Sequence, residues 1–326
     1  MKSGLSKRGE SMITAWIPHK GYLRPQKVTS AEQLVSDAVW IDLEKPGVEE
    51  FRWIKDAYQQ KLPDMDELTE IEASSRFFRD EAGLHVRVYF LYEIPERSSN
   101  VTVGFVLNQG RLFTLRSESL ITFQQYRRKI ETQQESAVDA FGIMLGLFEI
   151  KVDRVADLLE QLHIELEKLN ARVFCTGESE FEDLLTLLAT IQDRNDKTRL
   201  SLMDKQRALS FLIRSRTCPE EYLSLLREIL QDIRSLDEHS TFLFEKVRFL
   251  LDATTGRVNI TQNKIIKIFS IAAVVFLPPT LVASIYGMNF RFMPELSWQF
   301  GYPLAIILIV AAGIAPYAYF KHKDWL

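Results

Sequence analysis

Two uncharged, apolar runs in the C-terminal part of this sequence limit its fold more than any other feature. Ile268–Met288 reads IFSIAAVVFLPPTLVASIYGM and Phe300–Phe320 reads FGYPLAIILIVAAGIAPYAYF. Each has the roughly 20 residues that a helix needs to cross a hydrocarbon core about 30 Å thick. Two such runs are hard to bury in any other way, so both are expected to span a membrane. The connection between them is short, which makes the pair a hairpin. Arg257, Lys264 and Lys267 precede the first span, Lys321 and Lys323 follow the second, and the connection balances Arg291 with Glu295. Basic flanks stay in the cytoplasm. Both flanks are therefore expected inside, with the loop outside.

The rest of the chain is polar enough for water. Charged residues make up 26% of the sequence and the formal net charge is −4, without the basic excess that nucleic acid would require. Cys175 and Cys218 are the only cysteines, and they have no C-x-x-C spacing, so they are expected to be reduced thiols. The first residues, MKSGLSKRGESM, carry charge but no apolar stretch of the kind a signal peptide needs.

Residues 1–135 have α/β character. Met12–Ile17 and Ala38–Leu43 are strand-like, and Gly47–Leu62 has helical spacing. Leu84–Tyr92 follows a turn at Asp80–Gly83, and Val101–Leu107 pairs with Arg111–Arg116 through a turn at Asn108-Gln109-Gly110. No enzyme site stands out. There is no Gly-rich phosphate loop, and the five histidines lack metal-ligand spacing. Asp64, Asp66, Glu67, Glu70 and Glu72 form either a cation site or, the commoner case, a solvated helix face. Residues 136–218 are expected to form antiparallel helices, broken near Gly177 and at Thr217-Cys218-Pro219. From Pro219 a heptad stripe runs through Tyr222, Leu226, Ile229, Ile233, Leu236, Ser240, Leu243, Val247 and Leu250. Such a stripe requires partner helices along its length. Carried on to Met288, this helix would be about 105 Å long: a soluble stalk below and a membrane span above. Gly256 is its weak point.

On one phase of the upper helix lie Asp252, Asn259, Asn263, Ile266, Ser270, Ala273, Leu277, Thr280 and Ser284. Polar groups facing lipid are costly, so this side is expected to face other helices or water. Two helices cannot enclose a water-filled path, so transport would require several copies. The alternative is a membrane-anchored domain without a pore. Above Asp252 the stripe holds amides, hydroxyls and apolar side chains but no carboxylate. Mg²⁺ gives up its water reluctantly, and amide or hydroxyl oxygens can accept hydrogen bonds from that water. Leu277 and Ile266 would be apolar constrictions. Pro278-Pro279 deprives the Val274 and Val275 carbonyls of their helical donors.

At the outer end stand Tyr286-Gly287-Met288-Asn289 and Met293-Pro294-Glu295-Leu296. YGMN closing the first span, MPEL in the connection, FLPPTLVAS before them, Gly301-Tyr302-Pro303 and the KHKDWL tail together resemble the CorA magnesium/cobalt transporters. The resemblance implies an α+β protein: a cytoplasmic α/β domain on residues 1–135, helices on 136–218, and a stalk on 219–288 that continues into the first span. A periplasmic loop on 289–299, a second span on 300–320 and a basic tail on 321–326 would follow. It further implies a homopentameric funnel in a bacterial inner membrane that passes hydrated Mg²⁺, with Co²⁺ and Ni²⁺ as secondary ions. By position, Gly287, Met288 and Asn289 would form the selectivity filter. Asn263, Ile266, Ser270, Ala273, Leu277, Thr280 and Ser284 would line the pore. Glu295 would either concentrate cations or pair with Arg291. Internal Mg²⁺ closes members of this family. No short motif places that sensor here, and Asp252 and the acidic run are its candidates. Zinc transporters of the ZntB type share the architecture and supply an alternative cargo.

Overall fold

The computed structural model describes residues 12–69, 76–94, 97–132, 139–175, 181–288, 291 and 293–323. They form two compact units. The first comprises residues 1–174 and 186–250, and the second comprises residues 175–185 and 251–326. The compositional boundary near residue 135 therefore falls inside the first unit.

The first unit is built on a seven-stranded sheet of order β2-β1-β3-β7-β6-β5-β4. Its strands are β1 (Met12–His19), β2 (Tyr22–Val28), β3 (Trp40–Glu44), β4 (Phe77–Asp80), β5 (Gly83–Ile94), β6 (Arg97–Asn108) and β7 (Arg111–Arg116). All neighbours are antiparallel except β3 and β7. The expected β6–β7 turn is present, with positive φ at both Gln109 and Gly110, as a two-residue turn matched to strand twist requires. Lys20 and Gly21 make the same turn between β1 and β2. Gly83, at φ +121°, begins β5 where a Cβ would lie 2.4 Å from the Leu107 carbonyl, so no other residue fits.

Strand alternation sends two different residue sets to the two faces. One carries Ile13, Ala15, Ile41, Leu43, Val106, Phe113 and Leu115, and packs with Ile54 of α1 (Val48–Tyr58). The other carries Trp16 stacked on Trp40, with Phe90 and Phe105. These rings meet Phe123 and Tyr126 of α2 (Ile121–Thr132) and Phe148 of α3 (Ala140–Cys175). Asp42 is fully buried on this second face. It accepts from Arg116, from Arg127 and, at 2.8 Å, from Thr114 Oγ1. Burial alone pushes its carboxyl up; the charges of Arg116 and Arg127, with the Arg127 and Thr114 hydrogen bonds, outweigh that and hold it below the usual range.

Beyond residue 86, no strand among the described residues pairs with β5 on its β4 side, and side chains bond to its backbone there. Arg76 Nε donates to the Arg87 carbonyl at 3.2 Å, and the Tyr89 amide donates to Asp204 at 2.7 Å. Lys205 Nζ and Ser201 Oγ donate to the Tyr89 carbonyl at 2.6 and 2.9 Å, and Lys151 Nζ donates to the Leu91 carbonyl at 3.0 Å. Asp204, Lys205 and Ser201 belong to α4 (Phe181–Arg214), and Lys151 to α3. Covering an edge in this way prevents it from pairing with another chain. Lys205 is fully buried. Burial, reinforced by the nearby charge of Lys151, holds its ammonium well below the ordinary lysine range.

The heptad stripe lies on α5 (Leu223–Tyr286), which a short 3-10 turn at Glu220–Tyr222 precedes. The helix therefore begins just after Pro219 instead of at it. Leu226, Ile229, Ile233, Leu243, Val247 and Leu250 are buried. Their partners are α3 and α4 of the same chain. Ser240 and Asn195 exchange two 3.0 Å hydrogen bonds, Lys246 pairs with Glu167, and Arg199 reaches Asp237 at 3.4 Å. The fold also brings together two histidines that looked isolated in the sequence. His163 and His239 stack with ring centroids 5.6 Å apart. Among the described residues, no group of three or more His, Cys, Asp or Glu is placed to hold a metal.

Candidate ion-conducting face of the membrane hairpin

The second unit contains the upper part of α5 and the whole of α6 (Gly301–His322). The 64 residues of α5 run without a break through Gly256, about 96 Å at 1.5 Å per residue. Both helices are long and apolar enough to cross a membrane, and their most apolar windows are unburied. Phe269, Phe276 and Leu277 of α5, and Tyr302, Ile307 and Ile314 of α6, are each 60% exposed or more. Apolar surface this continuous belongs against lipid or other protein.

α6 packs on one side of α5. Gly313 permits the approach: a Cβ there would lie 3.3 Å from Pro279 Cγ and 3.7 Å from the Val275 carbonyl. Val275 is one of the residues whose carbonyl loses its helical donor to the Pro278-Pro279 pair, which α5 keeps within its helix. Replacing Gly313 with leucine is expected to force the two helices apart and to cost about 1–3 kcal/mol. The check is the thermal unfolding midpoint of the detergent-solubilised protein, with Gly313→Ala falling between wild type and Gly313→Leu.

At 3.6 residues per turn, Val275, Pro279, Val282 and Tyr286 share one side of α5, and Ile266, Ala273, Leu277 and Ser284 lie about 180° away. Asp252, Asn259, Asn263, Ile266, Ser270, Ala273, Leu277, Thr280 and Ser284 are all exposed; Ser270 also borders the gap between α5 and α6, and Ile266, Ala273, Leu277, Thr280 and Ser284 are turned away from α6. Thr280 Oγ1 donates to the Phe276 carbonyl at 2.7 Å. Its hydrogen is thereby committed to the helix, and its oxygen is left to accept from elsewhere.

The helix ends at Tyr286. Gly287 keeps a helical bond to Ala283 at 2.9 Å and Met288 a looser one to Ile285 at 3.3 Å. Gly287 is not among the glycines with positive φ. A Cβ there would sit 3.2 Å from the Ala283 carbonyl, the acceptor of Gly287's own helical bond, so a side chain would crowd this last turn. Asn289 lies outside the described residues, as does the side chain of Glu295, whose backbone forms a short 3-10 turn at Pro294–Ser297. In the acidic run, Asp64 Oδ1 accepts from the amides of Asp66 and Glu67 at 3.0 and 2.8 Å, so it caps a 3-10 turn at Glu67–Thr69. Glu70 and Glu72 lie outside the described residues. Cys218 is a free thiol.

A sheet domain joined to a long helix and a two-helix apolar hairpin defines a membrane protein with a large polar part. Residues 35–322 match the family described as CorA-like Mg2+ transporter protein, and the chain belongs to that family. It is 48% identical over 318 residues to the magnesium transport protein CorA of Salmonella typhimurium, covering 97% of this chain and 100% of that one. The Escherichia coli protein of the same name is 47% identical over the same length. Among solved structures, the complete CorA magnesium transporter of Methanocaldococcus jannaschii superposes with a TM-score of 0.75 at 18% identity, covering 97% of this chain and 98% of that one. Full-length CmaX gives 0.73 at 19%, covering 99% and 100%. At those identities the two structures speak for the fold.

Proposed function

We propose that this chain is the subunit of a homopentameric channel that admits Mg²⁺ across a bacterial inner membrane, with Co²⁺ and Ni²⁺ as secondary ions. The observation that carries this reading is the end-to-end relationship to proteins named magnesium transport proteins. The exposed stripe on α5 supports it: a polar face turned away from α6 is where neighbouring copies would enclose water. Basic flanks at Lys264, Lys267, Lys321 and Lys323 support an arrangement with both termini in the cytoplasm.

In this mechanism the ion keeps its water. Rings of Asn263, Ser270, Thr280 and Ser284 accept hydrogen bonds from the hydration shell, and Thr280 is prepared for that by the hydrogen it gives to Phe276. Leu277 and Ile266 narrow the path with apolar side chains that resist wetting when closed. At the outer mouth Asn289, shaped by Gly287 and Met288, takes the ion first, and Glu295 raises the local cation concentration. Internal Mg²⁺ acts as the closing ligand, with Asp252 as the candidate contact on the stalk.

The test is uptake by the purified protein in liposomes, with Co²⁺, Ni²⁺ and Zn²⁺ as competitors. Saturable Mg²⁺ uptake that Co²⁺ and Ni²⁺ inhibit is the expected result. Zn²⁺ uptake in preference to Mg²⁺ would assign the cargo differently. An assembled oligomer that passes no ion would make the protein a scaffold.

A further inference from the structure

A cavity of about 150 Å³ opens between α5 and α6 at the Lys267 end of the hairpin, walled by Ile271, Val274, Val275 and Phe320, with Tyr317 beside them and Ser270 at its border with the polar stripe. Lys267 is its only charged lining residue. This lysine immediately precedes the uncharged run, so it stands at the level of the lipid headgroups while the apolar wall continues into the hydrocarbon. Among the described residues, no ion pair engages it. The local charge is one-sided. Between Asp252 and the end of the sequence the only acidic side chains are Glu295, in the connection, and Asp324, against Lys264, Lys267, Lys321 and Lys323 at this end.

We propose that this groove holds one anionic phospholipid, its phosphate on the Lys267 ammonium and the start of an acyl chain against Ile271, Val274, Val275 and Phe320. Three features select this occupant. A cavity of this size takes a benzene-sized apolar group, which a few methylenes supply and a helix 10–12 Å across does not. The site pairs a cation with hydrocarbon walls, and an anionic amphiphile complements both. A second copy would bring the same basic cluster and add like charge. The inference rests on membrane insertion of the hairpin and not on which ion, if any, is carried.

The experiment is native mass spectrometry of the full-length protein released from nanodiscs containing equal phosphatidylglycerol and phosphatidylcholine. Wild type is expected to retain phosphatidylglycerol preferentially. Lys267→Gln should lower that retention about fivefold, the factor expected for one lysine at an anionic surface, and Lys267→Arg should preserve it. Val274→Trp, which fills the groove, should reduce retention of both lipids, with circular dichroism checking that the helices remain. Equal retention of the two lipids by wild type, or unchanged phosphatidylglycerol on Lys267→Gln, would overturn the proposal. High-yield disulfide cross-linking between copies through Val274→Cys would overturn it too, because another helix would then fill the groove.

Discussion

Replacing Asn289 by alanine is expected to reduce Mg²⁺ uptake in proteoliposomes by at least about tenfold while leaving the oligomer assembled. The physical ground is the chemistry of a hydrated divalent ion. Its inner-shell water is a strongly polarised donor, and an amide oxygen that accepts from it makes a charge-assisted hydrogen bond worth about 1.5–3 kcal/mol. Alanine offers no acceptor, and in the proposed ring each copy would lose its contact at once. Asn289→Asp separates attraction from conduction. The carboxylate should hold the ion more tightly yet pass it more slowly, because conduction requires a site weak enough to leave. Unaltered flux in Asn289→Ala would remove the outer amide ring from the mechanism.

The second large effect is expected far from the membrane. Asp42→Ala should destabilise the sheet domain by about 3–5 kcal/mol, the usual cost of breaking a buried ion pair by deleting one partner. Arg116 is 1% exposed and would retain Glu44 at 2.6 Å but lose Asp42, and Arg127 and Thr114 would lose the same acceptor. Asp42→Asn should cost less, since its carbonyl still accepts from one of them. The pH dependence has a definite sign. The folded carboxyl titrates below its unfolded value of 3.8, so its contribution is complete above that value and is lost as the pH falls through the folded one. The difference between wild type and Asp42→Ala should therefore be constant above about pH 5 and shrink in stronger acid. Thermal unfolding followed by circular dichroism in detergent measures both. A midpoint unchanged at neutral pH would show that the cluster adds nothing.

The two apolar spans and the polar phase of the first are legible in the sequence. Uncharged length fixes a membrane span, and the spacing of Asn263, Thr280 and Ser284 fixes one helical face, because both follow from helix geometry alone. The turn at Gln109-Gly110 was legible for the same local reason. The matching turn at Lys20-Gly21 was missed, since the strand after it contains Arg24, Pro25 and Lys27 and lacks alternation; it is an edge strand, where proline and charge are tolerated. The stacked His163 and His239 were invisible because their proximity depends on how α3 packs against α5.

Hydropathy and period are properties of the chain, so the amino acids alone locate the membrane spans, mark the polar side of the first and show that a long helix needs partners. Which helices those partners are follows from packing in three dimensions. α3 and α4 of the same chain bury the stripe, and Lys151, Asp204 and Lys205 close the open edge of β5. No sequence pattern marks those three as buried, because in a helix they are indistinguishable from solvated charges until a strand presents unpaired backbone groups to them. The same holds for Gly313, whose purpose emerges only when Pro279 lies against it.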